Sequence, residues 1–326
     1  MSEKQREQER KMQPAVASSG GAEGGGAGPS SSLTGRLDHR TQARRFIYEK
    51  TAFWMLRGSL VVVLFILGVI LYDITSKGIG VISWEFLTQM PRGGMREGGI
   101  FPAIVGTFYV TVLAALLAVP LGVATAIYLN EYAVQGKITR LIRIALRNLA
   151  GVPSIVFGLF GVALFVQRFG FRASLLAAGM TLGLLTLPVT VTAAEEALKT
   201  VPRSFREGGL ALGASKWQMI RTLVLPPAVP GMLTGVILGL ARAAGETAPI
   251  LFTGAAFFLP FLPNSPFSQF MALPYHLFIM ATQHHDITGV RPIAYGTAFV
   301  LLALVFLLNL GAVVIRYRFR KRFQRH

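Results

Sequence analysis

The chain has no cysteine. That absence excludes disulfides, thiolate metal sites and a cysteine nucleophile. Charge is scarce as well: 14% of the 326 residues are Asp, Glu, Lys or Arg, with 15 acidic residues against 32 basic ones. A phosphate loop is missing, since the Gly-rich stretch before Ser32 is not followed by Gly-Lys-Ser/Thr. The Gly136-Lys137 pair lacks both the upstream glycine and the hydroxyl, so the chain is not expected to hydrolyse ATP by itself. There is no Ser/His/Asp set and no pair of carboxylates in catalytic context, so neither an enzyme nor a cofactor is expected. His284-His285-Asp286 does not make a metal site, because adjacent residues rarely converge on one ion and no His pair at i,i+4 supports them. A soluble basic domain with interleaved aromatics is also absent, which argues against a nucleic-acid partner. No cleavable signal peptide is apparent: the first apolar stretch follows about fifty polar residues and reads as a retained anchor.

What is abundant is apolar. Hydrophobic residues make up 52% of the chain, glycines number 35 and the mean hydropathy is +0.54. Six apolar spans stand out, at roughly 54–73, 102–129, 144–166, 174–194, 228–258 and 292–315. Each can cross about 30 Å of hydrocarbon as a helix. An all-α membrane protein is expected, with residues 1–50 a disordered and basic cytoplasmic N-terminal segment, 51–316 the six-helix domain with a loop at about 195–227, and 317–326 a basic cytoplasmic tail. Residues 1–35 are of low complexity and are expected to be disordered. Most basic residues fall in the N-terminal segment, the 130–147 connection, the 195–227 loop and the tail. Lys and Arg concentrate on the cytoplasmic side, so both termini are expected there, and the tail from Arg316 to Arg325 meets anionic lipid.

The loop 195–227 is patterned as structure. Leu198, Val201, Phe205, Gly209 and Leu212 recur at helical spacing, while Glu195, Lys199, Arg203, Arg206 and Glu207 fall mostly elsewhere. Pro202 fits a first helical turn and Gly213 a left-handed helix end. Ser215 and Gln218 are spaced as a capping box for a second short helix, Lys216 to about Leu223, stopped by Pro226-Pro227. Helix, tight turn and helix on the membrane surface make a docking element.

Span five carries Arg242 and Glu246, followed by Thr247. A charge at the centre of a membrane helix costs roughly 2.5–3.5 kcal/mol on insertion scales, so these residues have a purpose. Four apart, they share a helix face and can pair. Two readings stand: a self-neutralised pair that fixes helix packing, or a station on a transport path where the Arg fork meets an oxyanion. Gly231, Gly235, Gly239 and Ala243 form a small-residue stripe for close helix contact. Span three carries Gly151, Pro153, Gly158 and Gly161, which allow a kink. Arg143 and Arg147 are expected at the cytoplasmic interface. On the other side, Trp84 and Phe86 look like interfacial anchors, and the proline-rich 259–291 loop caps the pore or meets a partner.

The patterned loop resembles the coupling motif of bacterial ABC importer permeases: Glu-Ala-Ala, three residues, Gly, nine residues, Ile-x-Leu-Pro. Glu207, Gly213, Leu225 and Pro226 match at the motif's spacing; Gly208 and Gly209 replace the alanines and Leu223 the isoleucine. Three further runs resemble the phosphate-specific importer: Gly99 to Thr107, Gly151 to Gly158 and Ala241 to Pro249. The last is similar to its PstA-type permease more than to the PstC-type partner. Thr192 departs from relatives that carry Arg there. The resemblance implies a six-helix permease of the type I, MetI-like fold in a bacterial inner membrane. It implies pairing with a second, PstC-like permease on a dimeric PstB-like ATPase, with inorganic phosphate delivered by an extracytoplasmic binding protein. Arg242, Glu246 and Thr247 are then expected on the substrate path, and Glu207, Gly208, Gly209, Gly213, Ser215, Leu223, Leu225 and Pro226 in ATPase coupling. An intramembrane Arg does not itself separate phosphate from sulfate or molybdate. An ATP-independent channel or carrier is the reading that the coupling loop argues against.

Overall fold

A computed structural model describes residues 31–323, with side chains from Tyr48 to Arg318. The low-complexity residues 1–30 and the end of the basic tail lie outside the described residues. The chain divides into two compact units at Leu67/Gly68. The first described helix, α1, is Ser31–Gly78. It includes residues 31–50, which sequence alone had grouped with the disordered segment. After Gly35 that stretch holds no glycine or proline and many good helix formers. From Phe53 to Leu71 its large apolar side chains are exposed all round, as suits a helix in lipid.

In the second unit a short helix, α2 (Trp84–Thr88), and a two-stranded hairpin, β1 (Pro91–Arg92) and β2 (Glu97–Gly98), precede the next span. The strands are antiparallel, Pro91 opposite Gly98. Phe86, expected as an interfacial anchor, is buried, while Trp84 is exposed. Then come α3 (Phe101–Ile127), α4 (Lys137–Ala150), α5 (Ser154–Gly161), α6 (Leu175–Lys199), α7 (Arg203–Ala211), α8 (Lys216–Met219) and α9 (Leu225–Ala244). The chain continues through α10 (Ala248–Thr253), α11 (Leu273–Thr282) and α12 (Ile287–Phe323).

Among the described residues, five helices are long and apolar enough to cross a membrane: Tyr48–Val81, Phe101–Tyr132, Leu175–Lys199, Lys216–Ala244 and Ile287–Arg318. A sixth crossing is made only by α4 with Ser154–Arg168, bent by 100° at their junction. The expectation of one continuous span over 144–166 is therefore corrected. Pro153 has extended backbone (φ −55°, ψ 137°), and it cannot donate the hydrogen bond that would carry α4 onward. The expected span 228–258 is also interrupted, at Gly245-Glu246-Thr247 between α9 and α10.

Spans α3, α6 and α9 pack through small residues, as interfaces between lipid-immersed helices require. A Cβ on Gly122 would lie 2.6 Å from the Thr190 side chain, and one on Gly235 would lie 2.3 Å from the Ala193 Cβ. The glycine stripe of α9 thus lies against α6 at Gly235 and, through Gly231, against Ala197. Leu129, Leu198, Val201, Met219, Ile220 and Val224 form a buried cluster where α3, α6 and the 195–227 loop come together. A second buried cluster joins Met95 of the hairpin loop to Val110, Leu182, Ile250, Phe270 and Ile279.

Candidate functional site

The patterned loop folds as helix, turn and helix. Pro202 stands at the N-cap of α7 rather than in its first turn. The helix ends in a double-bonded Schellman turn: Ala214 N–H donates to Gly209 O (3.1 Å) and Gly213 N–H to Leu210 O (3.0 Å). Gly213 has φ +81°, the left-handed conformation its position called for. The capping box closes in both directions, Gln218 N–H to Ser215 Oγ (3.3 Å) and Ser215 N–H to Gln218 Oε1 (2.9 Å). Its helix, however, does not stop at Pro226-Pro227. A π turn, Ile220–Val224, carries it into α9. The two prolines occupy the first turn of α9, where wider i→i+5 bonding has already released their missing donors.

Burial divides the loop. Gly209 packs on Met219 and Leu223, while Leu225 lies partly buried against the same cluster. Phe205 and Leu212, expected on the inward stripe, are exposed, as are Leu210 and Trp217. Glu207, Gly208, Gly213 and Ser215 are exposed as well. Exposed apolar side chains interspersed with polar ones are the composition of a protein interface.

Two ion-pair groups tie the loop to the spans. Glu131 lies in the π turn Tyr128–Tyr132 after α3, with its side chain almost fully covered. Arg206 of α7 donates to both its oxygens, from Nε at 3.1 Å and Nη2 at 2.7 Å, and also to Val201 O (2.8 Å) and Leu198 O (3.0 Å). Lys216 lies 4.8 Å from the Tyr132 ring centroid. Arg143 of α4 approaches buried Glu195 to 3.0 Å, and Lys199 lies 3.2 Å from the same oxygen. Nothing in sequence spacing marks Glu131, which is 75 residues from its partner. Arg143 also donates to Leu129 O (3.0 Å), beside the same helix ends.

The second candidate region is the break in span five. Arg242 stands in the last turn of α9, and Glu246 lies beyond the helix end, its N–H donating to Ala243 O (3.1 Å). The expected pair forms, with Arg242 Nε and Glu246 Oε1 3.6 Å apart, but not on one helix face, because the helix ends at Ala244 between them. Arg242 is not a buried charge either, since its side chain is 68% exposed against 16% for Glu246. It borders a cavity of about 260 Å³ with Gly151, Pro153, Ser154, Thr186 and Gly239. The two terminal guanidinium nitrogens of Arg242 have no hydrogen-bond partner among the described residues. Thr247 is not on the cavity wall; its carbonyl accepts the Leu251 N–H at the start of α10. The helices that follow the two breaks, α5 and α10, pack on each other, because a Cβ on Gly158 would meet Ala248 O and Pro249 Cα at 3.1 Å.

Residues 118–325 match the family model described as the binding-protein-dependent transport system inner membrane component. The chain belongs to that family. The permease is 37% identical over 279 residues to phosphate transport system permease protein PstA 1 of Mycobacterium tuberculosis, covering 84% of this chain and 90% of the relative. It is 33% identical over 274 residues to the PstA protein of Haemophilus influenzae, covering 82% and 95%. It superimposes on a chain of the inward-facing MetNI methionine ABC transporter with a TM-score of 0.53 at 19% identity, covering 68% of this chain and 94% of that one. The permease therefore has the all-α, type I MetI-like importer fold and is a multi-pass inner-membrane transport component. Permeases of such systems work with an ATPase and a substrate-binding protein.

Proposed function

We propose that this permease carries inorganic phosphate across the bacterial inner membrane. In this reading it pairs with a second, PstC-like permease and receives its anion from an extracytoplasmic phosphate-binding protein. A separate PstB-like dimeric ATPase docks on Phe205, Glu207, Leu212 and Trp217, which places the 195–227 loop and both termini in the cytoplasm. The identity to two phosphate permeases over more than four fifths of the chain supports the choice of phosphate over sulfate or molybdate.

The observation that carries the path is Arg242, an exposed guanidinium in a helix break whose terminal donors are unused by the protein. Such a fork suits the paired oxygens of an oxyanion. Glu246 pairs loosely with Nε at 3.6 Å and leaves the two terminal nitrogens to the anion. Hydrogen bonds to charged groups contribute about 1.5–3 kcal/mol, so losing the fork should cut transport roughly ten- to a hundredfold. The test is uptake by reconstituted complexes, normalised to assembled protein, for Arg242→Gln, Arg242→Lys and Arg242→Gln with Glu246→Gln. The two neutral forms should insert and assemble yet lose phosphate uptake, and lysine should rescue in part because it keeps the charge without the fork. Near-normal uptake in the doubly neutral form would remove Arg242 from the path and leave the pair a packing lock. Uptake of sulfate or molybdate instead of phosphate by the unmodified complex would overturn the substrate.

A further inference from the structure

We infer that Arg206 is the positioning residue through which the docked ATPase moves the transport path, acting by way of Glu131 and the end of α6. This inference rests on the importer reading above and assigns a role to a contact far from Arg242.

The geometry is unusual for a surface arginine. One guanidinium satisfies four acceptors on two elements: both oxygens of Glu131 and the carbonyls of Leu198 and Val201. Leu198 lies in the last turn of α6, and its carbonyl, which also accepts from the Thr200 and Val201 N–H groups, marks the helix end that Arg206 grips. Arg206 belongs to α7, whose Phe205 and Glu207 are the exposed neighbours on either side. The element offered to a partner is thus fastened to α3 and α6 by a side chain between the docking residues. Glu131 is only 4% exposed. It cannot trade Arg206 for water without leaving a buried charge unpaired, so partial slippage is disfavoured.

The same two spans lead to the cavity. α6 packs along α3 through Gly179 on Leu113, Gly183 on Leu117 and Gly122 on Thr190. It also brings Thr186 to the wall that Arg242 borders. Thr186 is twelve residues from Leu198, about 18 Å along a helix at 1.5 Å per residue. A rigid shift of α7 therefore reaches the cavity wall without any new contact forming. Arg143 and Lys199 on Glu195 brace the same end of α6, and Arg206 adds the side-chain tie from α7 to Glu131 beside the short backbone connection 200–202.

The experiment measures phosphate taken up per ATP hydrolysed in reconstituted complexes, beside co-purification of the ATPase. Arg206→Gln and Glu131→Gln should still assemble and hydrolyse ATP, while uptake per ATP falls at least tenfold. Arg206→Lys should recover only part, because one ammonium cannot serve four acceptors in that plane. Should the neutral forms fail to assemble, Glu131→Cys with Arg206→Cys decides. This chain has no other cysteine, so with cysteine-free partner subunits a reducible bifunctional thiol reagent can restore the link alone. Coupling that returns with the cross-link and vanishes on reduction supports the inference. A cross-linked complex that stays uncoupled, or Arg206→Gln with unchanged uptake per ATP, overturns it. Failure of the phosphate reading looks different, since the unmodified complex would then move no phosphate.

Discussion

Replacing Gly213 isolates the backbone of the coupling turn from its contacts. Its φ of +81° lies in the left-handed region, and an added Cβ would meet nothing within 4 Å. Any cost of substitution is therefore conformational. Left-handed backbone costs an L-residue roughly 1–2 kcal/mol, asparagine less, and a β-branched residue is a true outlier there. One or two kcal/mol changes a population ratio by about 5–30-fold. Gly213→Asn should keep the turn, Gly213→Ala should weaken it by about that factor, and Gly213→Val should abandon the Schellman bonds from Ala214 and Gly213. Without them α7 and α8 no longer present Phe205, Leu212 and Trp217 as one surface. The assay is substrate-stimulated ATPase activity together with uptake, each normalised to permease in the membrane. The expected order is Asn, then Ala, then Val, with Val inserted but uncoupled. Equal damage from Asn and Val would show that a contact at this position matters rather than its φ. Normal coupling in Gly213→Val would refute the docking role of the turn.

Two adjacent glycines should respond with opposite signs. Gly208→Ala meets open space and should stabilise α7 by about 0.5–1 kcal/mol. Gly209→Ala puts a Cβ 2.7 Å from Leu223 Cδ1 and 2.9 Å from Met219 Cγ, a clash worth about 1–3 kcal/mol. Thermal midpoints of the permease in detergent, without ATPase, should rise for the first and fall for the second. A third prediction concerns His276 of α11, which is fully buried; burial, and then the charge of nearby His284, lowers its pKa from 6.5 to about 4. Its Nδ1 has no partner among the described residues, so the folded state excludes a proton that the unfolded chain accepts. Stability should be level above pH 6.5 and decline towards pH 4, by on the order of 3 kcal/mol across the window. Thermal midpoints recorded between pH 8 and 4.5 should fall less steeply in His276→Gln; an unchanged slope would clear His276 of the effect.

The coupling turn was legible almost to the residue, because its constraints are local. A left-handed position needs Gly213, and a capping box needs Ser215 and Gln218 three apart. The knot behind the turn was not legible, because Glu131 and Arg206 meet only when α3 and α6 are side by side. The direction of burial was lost for a related reason. Phe205 and Leu212 share the helical period of the buried Leu198 and Gly209, yet both are exposed, since period alone does not say which face a helix buries. Pro226-Pro227 read as a stop for want of one detail: a π turn upstream had already spaced out the hydrogen bonds that the prolines cannot supply.

The two misplaced spans share one cause. Hydropathy sums residue character and is blind to chain direction, so 144–166 and 228–258 each read as one helix although the backbone unwinds at Gly151–Pro153 and Gly245–Thr247. Unwound backbone within a membrane is tolerated only where protein buries it or where it lines a cavity. At Gly151–Pro153 the second condition holds, since these residues line a cavity. The interrupted spans pack on each other at Gly158 and Pro249, and the cavity beside them is bordered by Gly151 and Arg242. The sequence features that argue against simple helices are Pro153 and the charged pair flanking Gly245. They mark two places where spans give up regular hydrogen bonding, and the first of them lines the cavity that Arg242 borders.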